Sequence, residues 1–387
     1  MTFPFASRLD HIAPFHVMEI IKVAAALEQA GRSIIHMGIG EPDFAAAQPV
    51  LDAAAAALAG GKTRYTPAAG IPALRAAISH HYQQQYALDI APERIIVTAG
   101  ASAALLLACA ALVEPGTEVL MPDPCYPCNR HFVAAFEGTP KLVASGPEAR
   151  FQLSHAMVRE NWGANTRGVL LASPSNPTGT SISREALAAV TDFVRARGGF
   201  TVVDEIYQGL TYDAPPFTAL SLGDDIVVIN SFSKYFNMTG WRLGWLVVPP
   251  SMVAAVEKLA QNLFICASSL SQHAALACFT PEATAIFDAR KAEFRRRRDF
   301  IVPALREIGF GVPVTPDGAF YVYADCSMFS DDADALTRDI LNRTGVVLVP
   351  GLDFGPHTAR NYIRVSYATS MAHIEEAVRR LQTYFNR

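Results

Sequence analysis

Apolar runs without internal alternation recur through the middle of the chain, at residues 94–98, 118–121, 141–144, 168–172, 200–204, 226–230 and 243–248. Continuous Val, Ile and Leu runs of this length mark strands covered on both faces, as in a largely parallel sheet. Helical patterns fall between them, among them an alanine-rich stretch at 51–58 and helices at 101–113 and 184–197. Ser183 is placed to cap the last of these, with Glu185 near its positive end. Strands alternating with helices predict an α/β domain with helices on both faces of the sheet.

The pattern changes over the C-terminal part. A charged helix at about 284–308 precedes strand segments within 318–325, 345–351 and 361–368, and an amphipathic helix follows at about 371–386. This predicts a second, smaller α+β domain. The division expected is a large domain over 45–285 and a small one assembled from 1–44 and 286–387. Apart from the alanine stretch there is no low-complexity tract, and there is no internal repeat.

Composition narrows the function classes. The 387 residues are 51% hydrophobic and 18% charged, which suits a globular enzyme with a sizeable core. A net charge of −4 offers no general attraction to nucleic acid or anionic lipid. No apolar run reaches the roughly 18 residues that span a bilayer. The first residues lack a basic stretch leading into an apolar core, so a cytoplasmic address is expected. The six cysteines are scattered and expected to be reduced; Cys125 and Cys128 form one CxxC pair, readable as a redox dithiol, half of a metal site, or two small loop residues. His80 and His81 adjoin without a third ligand at useful spacing, so no metal is expected. Arg295, Arg296, Arg297 and Arg298 would spread around most of a helical turn. That favours a solvated face with some interdomain ion pairs over a nucleic-acid stripe.

Four segments carry candidate chemistry, each sitting after a predicted strand, where ligands bind in open parallel sheets. Asp204 ends the run Val202-Val203-Asp204; alone it reads as a cap, or as a buried carboxylate that needs a cation. Ser231-Phe232-Ser233-Lys234 leads into Thr239-Gly240-Trp241-Arg242. A lysine there reads as a surface residue, or as an amine whose pKa falls below about 10.4 and becomes nucleophilic. Ser231, Ser233 and Arg242 are donors suited to a phosphate. Ser173-Pro174-Ser175-Asn176-Pro177-Thr178-Gly179 reads as a rigid turn, or as a mount for the Asn176 amide. Thr98-Ala99-Gly100-Ala101-Ser102 reads as a tight turn, or as a helix start whose N–H groups can meet an anion.

Taken together and in this order, the segments resemble the class I and II aminotransferases of pyridoxal-phosphate (PLP) fold type I, in their bacterial aspartate-aminotransferase-like subgroup. The resemblance extends to Gly38-Ile39-Gly40-Glu41-Pro42-Asp43-Phe44, to Lys62-Thr63-Arg64-Tyr65 with Pro67 and Gly70, to Asp123-Pro124-Cys125-Tyr126-Pro127, to Pro350-Gly351 and to Arg364-Val365-Ser366-Tyr367-Ala368. It implies a three-layer large domain around a mostly parallel seven-stranded sheet. It also implies pyridoxal 5'-phosphate as cofactor, held by Lys234 as a Schiff base, with Asp204 on the pyridine nitrogen. Tyr207 and Asn176 would face the ring oxygen and Tyr126 the ring. The phosphate would fall to Gly100, Ala101, Ser102, Ser231, Ser233 and Arg242, and Tyr65 would reach the cofactor of a second subunit in a homodimer with shared sites. Arg364, with Gly40 and Asn176, would take the substrate carboxylate, and two half-reactions would give ping-pong kinetics. Aspartate-specific relatives place hydroxyl and lysine groups where this chain carries Phe15, Val17 and Ser102, so a neutral or apolar donor is expected, with 2-oxoglutarate as acceptor. A C–S β-lyase or related chemistry on the same scaffold is the rival. A non-catalytic regulatory domain would need an added DNA-binding module, whereas this chain enters the enzyme pattern by about residue 10.

Overall fold

The computed structural model describes residues 3–14, 16–357 and 359–386, and in it the seven apolar runs form one sheet. In chain order the strands are β1 (Ile35–His36), β2 (Ile95–Thr98), β3 (Glu118–Asp123), β4 (Thr139–Ala144), β5 (Thr166–Ala172), β6 (Phe200–Asp204), β7 (Ile226–Ser231), β8 (Gly244–Val247), β9 (Tyr321–Asp325), β10 (Val346–Val347), β11 (Val349–Pro350) and β12 (Tyr362–Ser366). The large sheet runs β2-β8-β7-β6-β5-β3-β4, with β8 antiparallel to both neighbours and every other pair parallel.

The unalternating runs have the origin proposed for them. Along each strand, successive side chains enter different apolar clusters. Val97, Val169, Leu171, Val203 and Val228 join one, packed with the helices Pro72–Tyr86 and Arg184–Arg195. Ile96, Leu170, Val202, Val227 and Ile229 join the other, under the helix Gly100–Leu112. The result is a three-layer α/β fold. A third cluster lies under the smaller sheet β11-β12-β9, packed by Phe294 and Ile301 of the helix Pro281–Ile308 and by Ile374 and Leu381 of the helix Met371–Phe385.

Three expectations need correction. The segment 345–351 is not one strand: β10 pairs with β1, β11 pairs with β12, and Leu348 between them is buried. The strand expected from 318 begins at Tyr321, because the Ala319 N–H is bonded to Leu210 O and Ala319 takes φ 55°. The arginine run is not wholly solvated. Arg297 is 3% exposed and forks onto Asp43 (2.8 and 3.0 Å), while Arg298, 5% exposed, pairs with Asp213. Arg295 and Arg296 stay exposed.

Sheet parity also places Glu205, which follows β6 on the face opposite Asp204. Its Oε1 accepts the Ala219 N–H at 2.6 Å, and burial pushes its pKa up to about 8 against the pull of that N–H and of the Thr218 hydroxyl. The folded state therefore holds a proton that the unfolded chain releases near 4.5. Between those values the unfolded chain binds fewer protons, so this group lowers stability as pH rises. Glu205→Gln should flatten that decline in urea midpoints measured across the window; a slope equal to wild type would contradict the assignment.

Candidate active site

Parity along the parallel strands collects the site. Ala172, Asp204 and Ser231 close β5, β6 and β7 and all face the layer of the helix Gly100–Leu112. They line a cavity of about 420 Å³ at the carboxyl ends of the strands, together with Tyr126, Asn176, Tyr207, Ser233, Lys234, Arg242 and Arg364. Gly40, Ala101 and Ser102 line it as well. The chain thus brings residues from position 40 to position 364 into one space.

Asp204 is 5% exposed. Its Oδ1 accepts the Ile206 N–H at 3.0 Å. Burial raises its pKa to about 6, against the opposing pull of that N–H and of the charge on Lys234. Lys234 Nζ donates to Gly40 O at 2.6 Å. Loss of water pushes its pKa down to about 8; Glu41 counters the shift, while Arg364 and Arg242 reinforce it. The cavity so presents a readily neutral amine and an under-compensated carboxylate.

Arg364, on β12, is buried, with rings on two sides: Tyr321 at 4.6 Å and Phe354 at 4.9 Å from the guanidinium carbon. Its Nη1 donates to Asn176 Oδ1 (2.9 Å) and its Nη2 to Gly38 O (2.6 Å). Nε is buried without a hydrogen-bond partner among the described residues. A guanidinium held this way has donors left for a planar oxyanion.

At another part of the cavity the helix Gly100–Leu112 begins with no side-chain cap, leaving its first N–H groups open. Arg242 packs on this turn so closely that a Cβ at Gly100, where φ is +78°, would stand 2.5 Å from Nη2. Arg242 Nη1 donates to Thr239 O at 3.0 Å, and Ser231 Oγ lies 2.9 Å from Ser233 Oγ. Uncapped helix start, guanidinium and paired hydroxyls form a cradle for a phosphate-like anion. The partly buried amine, the carboxylate with no contact cation among the described residues and this cradle fit an aromatic cofactor with an anionic tail.

Tyr65 is not part of the lining; it is 82% exposed. Gly100 serves behind the lining, as the seat of Arg242. Val17 lines the cavity with Met18 and Ile21 from the helix His16–Gln29, whereas Phe15 lies outside the described residues. Sequence reasoning missed Tyr321, Glu41 and Thr239, all on the cavity wall. Tyr321 stood in an apolar run taken for a plain strand; a hydroxyl that must find a partner there was the available signal. Cys125 and Cys128 are free thiols whose pKa values burial raises, and the Cys128 side chain hydrogen-bonds that of Tyr126. Among the described residues no group of three or more His, Cys, Asp or Glu could hold a metal ion, and no helix is long and apolar enough to cross a membrane.

Comparison with known proteins agrees with this geometry. The chain is 40% identical over 375 residues to the valine–pyruvate aminotransferase of Mycobacterium tuberculosis, covering 96% of each protein. It is 35% identical to a (5-formylfuran-3-yl)methyl phosphate transaminase of Methanocaldococcus jannaschii, over 99% of this chain and 100% of that one. Among solved structures, an aminotransferase from Mycobacterium tuberculosis superposes with a TM-score of 0.95 at 40% identity, covering 100% of both chains. The Thermus thermophilus aspartate aminotransferase with maleate gives 0.93 at 31% identity, covering 99% of this chain and 100% of that one. The sequence profile described as aminotransferase class I and II matches residues 32–381, and the chain belongs to that family.

Proposed function

We propose that this aminotransferase binds pyridoxal 5'-phosphate covalently through Lys234 and moves the amino group of a neutral or apolar L-amino acid to a 2-oxo acid. The observation that carries the reading is the convergence of the low-pKa Lys234 amine, the buried Asp204 carboxylate and Arg364 on one cavity. Asp204 would hold the protonated ring nitrogen, Tyr207 and Asn176 the ring oxygen, and Tyr126 the ring face. The N–H groups of Ala101 and Ser102, with Ser231, Ser233 and Arg242, would hold the phosphate. When bound, the cofactor supplies an electron sink for the substrate Cα. Lys234, with a pKa of about 8, gains the free amine that takes and returns the Cα proton as pH rises toward and past that value. Arg364 orients the substrate by its carboxylate, and the rings beside the guanidinium exclude water from that contact.

The donor class follows from the wall. Val17, Met18, Ile21, Ile39, Leu105 and Ile206 line the cavity. The lining cations Lys234, Arg242 and Arg364 are taken, on this reading, by the cofactor and the substrate α-carboxylate. A second carboxylate on the donor would be desolvated without a partner. The Mycobacterium relative's name pairs valine with pyruvate. We retain 2-oxoglutarate as the acceptor and name pyruvate as its competitor.

The working unit proposed is a cytoplasmic homodimer of two-domain chains, with residues 45–285 as the large domain and 1–44 with 286–387 as the small one. Separate apolar clusters for the two sheets support the division. The exposed Tyr65, Leu58, Leu263 and Ile265 support a partner-covered face.

Purified protein should show a visible absorbance band from cofactor joined to Lys234 that bleaches when an amino acid is added. Lys234→Ala should abolish turnover and leave cofactor removable by dialysis; full activity in that variant would overturn the assignment. In a steady-state panel with 2-oxoglutarate and pyruvate, neutral donors should exceed aspartate in kcat/KM by roughly tenfold or more, the cost of one poorly solvated carboxylate. Aspartate as the best donor would refute the specificity reading. Pyruvate and ammonia released without an acceptor would point to lyase chemistry.

A further inference from the structure

Tyr321 connects three parts of the cavity that the chain positions separately. Its hydroxyl oxygen lies 2.8 Å from that of Tyr207. Its ring faces the Arg364 guanidinium at 4.6 Å. Its Oη also crowds Gly40, where an added Cβ would stand 2.4 Å away. The side chain is 1% exposed and Tyr207 is 4% exposed, with the two rings edge-on at 81°. The strands β9 and β12 set the placement: Tyr321 is paired with Ser366, two residues beyond Arg364.

Two hydroxyls at this separation share one proton, so one donates and the other is left to direct its own proton elsewhere. The guanidinium over the Tyr321 ring polarises that hydroxyl and makes it the better donor of the pair. Tyr321 Oη also lies close against the Cα of Gly40, which fixes where that hydroxyl can sit. With Tyr321 as the donor, Tyr207 Oη accepts and its own O–H is free to turn into the cavity it lines. Serial donation of this kind strengthens the second donor.

We propose that Tyr321 is a positioning residue, whose hydroxyl donates to Tyr207 Oη and thereby aims and strengthens the Tyr207 proton at the ring oxygen of the cofactor. The proposal rests on the cofactor reading for what Tyr207 faces; the order of the two hydroxyls rests on the Arg364 charge beside the Tyr321 ring. Gly40 has a part in it, since only a residue without Cβ leaves Tyr321 Oη its place.

The test is a pH titration of the visible band in wild type, Tyr321→Phe, Tyr207→Phe and the double variant, beside kcat/KM and a far-ultraviolet circular dichroism check of folding. A donor to the anionic ring oxygen favours the deprotonated form of the linkage, so weakening it raises the midpoint. Tyr321→Phe should raise the midpoint by about half a unit and lower kcat/KM about three- to tenfold, the worth of one hydrogen bond. In the Tyr207→Phe background the same change should move neither. A midpoint unmoved by Tyr321→Phe, or an equal shift in both backgrounds, overturns the relay while leaving the cofactor reading intact. Absence of the band from wild type overturns both. Gly40→Ala supplies an independent variant: it should shift the midpoint upward by displacing the Tyr321 hydroxyl. Its effect should largely vanish in Tyr321→Phe, and persistence there would count against the relay.

Discussion

Withdrawing an amine and a carboxylate from water at neighbouring strand ends is the constraint on which the rest of the site depends. The layers on both sides of the sheet leave Asp204 nearly inaccessible and strip water from Lys234, so each charge is costly unless a partner arrives. The two pKa values are displaced toward each other, to about 6 and about 8. A surface lysine and a surface aspartate would sit far apart on that scale. The same burial that stabilises the sheet through its Val and Ile runs is what tunes the chemistry at its edge.

Close approach is the second requirement. Arg242 can lie against the start of the helix Gly100–Leu112 because residue 100 has no Cβ and tolerates φ +78°. The Lys234–Gly40 hydrogen bond and the Tyr321 hydroxyl converge on the other such glycine, residue 40. Each contact joins two segments distant in the chain. Arg364 does the same through Asn176 Oδ1 and Gly38 O, which are 188 and 326 positions away. Orientation of the Arg364 guanidinium is therefore a property of the assembled molecule.

The seven central strands were legible to within a few residues because a strand buried on both faces needs an unbroken apolar run, which is a local signal. Lys234, Asp204, Asn176 and Arg364 were legible for a different reason: polar residues set among apolar strands and rigid turns stand out, and their order matched a known pattern. Tyr321 did not stand out, since a tyrosine in an apolar run looks like core until its hydroxyl partner is seen. Arg297 and Arg298 misled in the other direction. Four consecutive arginines look solvated, and only Asp43 and Asp213 arriving from elsewhere allow two of them to be buried.

The sequence by itself determined the layered α/β architecture, the family and a set of candidate residues that the fold gathers into one cavity, because hydrophobic periodicity and motif order are local and one-dimensional. Tertiary structure alone decided which apolar side chains wall the cavity, how Arg364 is braced, and that Tyr321 reaches Tyr207. It also split the segment 345–351 between two sheets. Those outcomes depend on side chains from remote positions meeting within hydrogen-bond or van der Waals distance, and no local pattern encodes a contact whose two halves are a hundred or more residues apart.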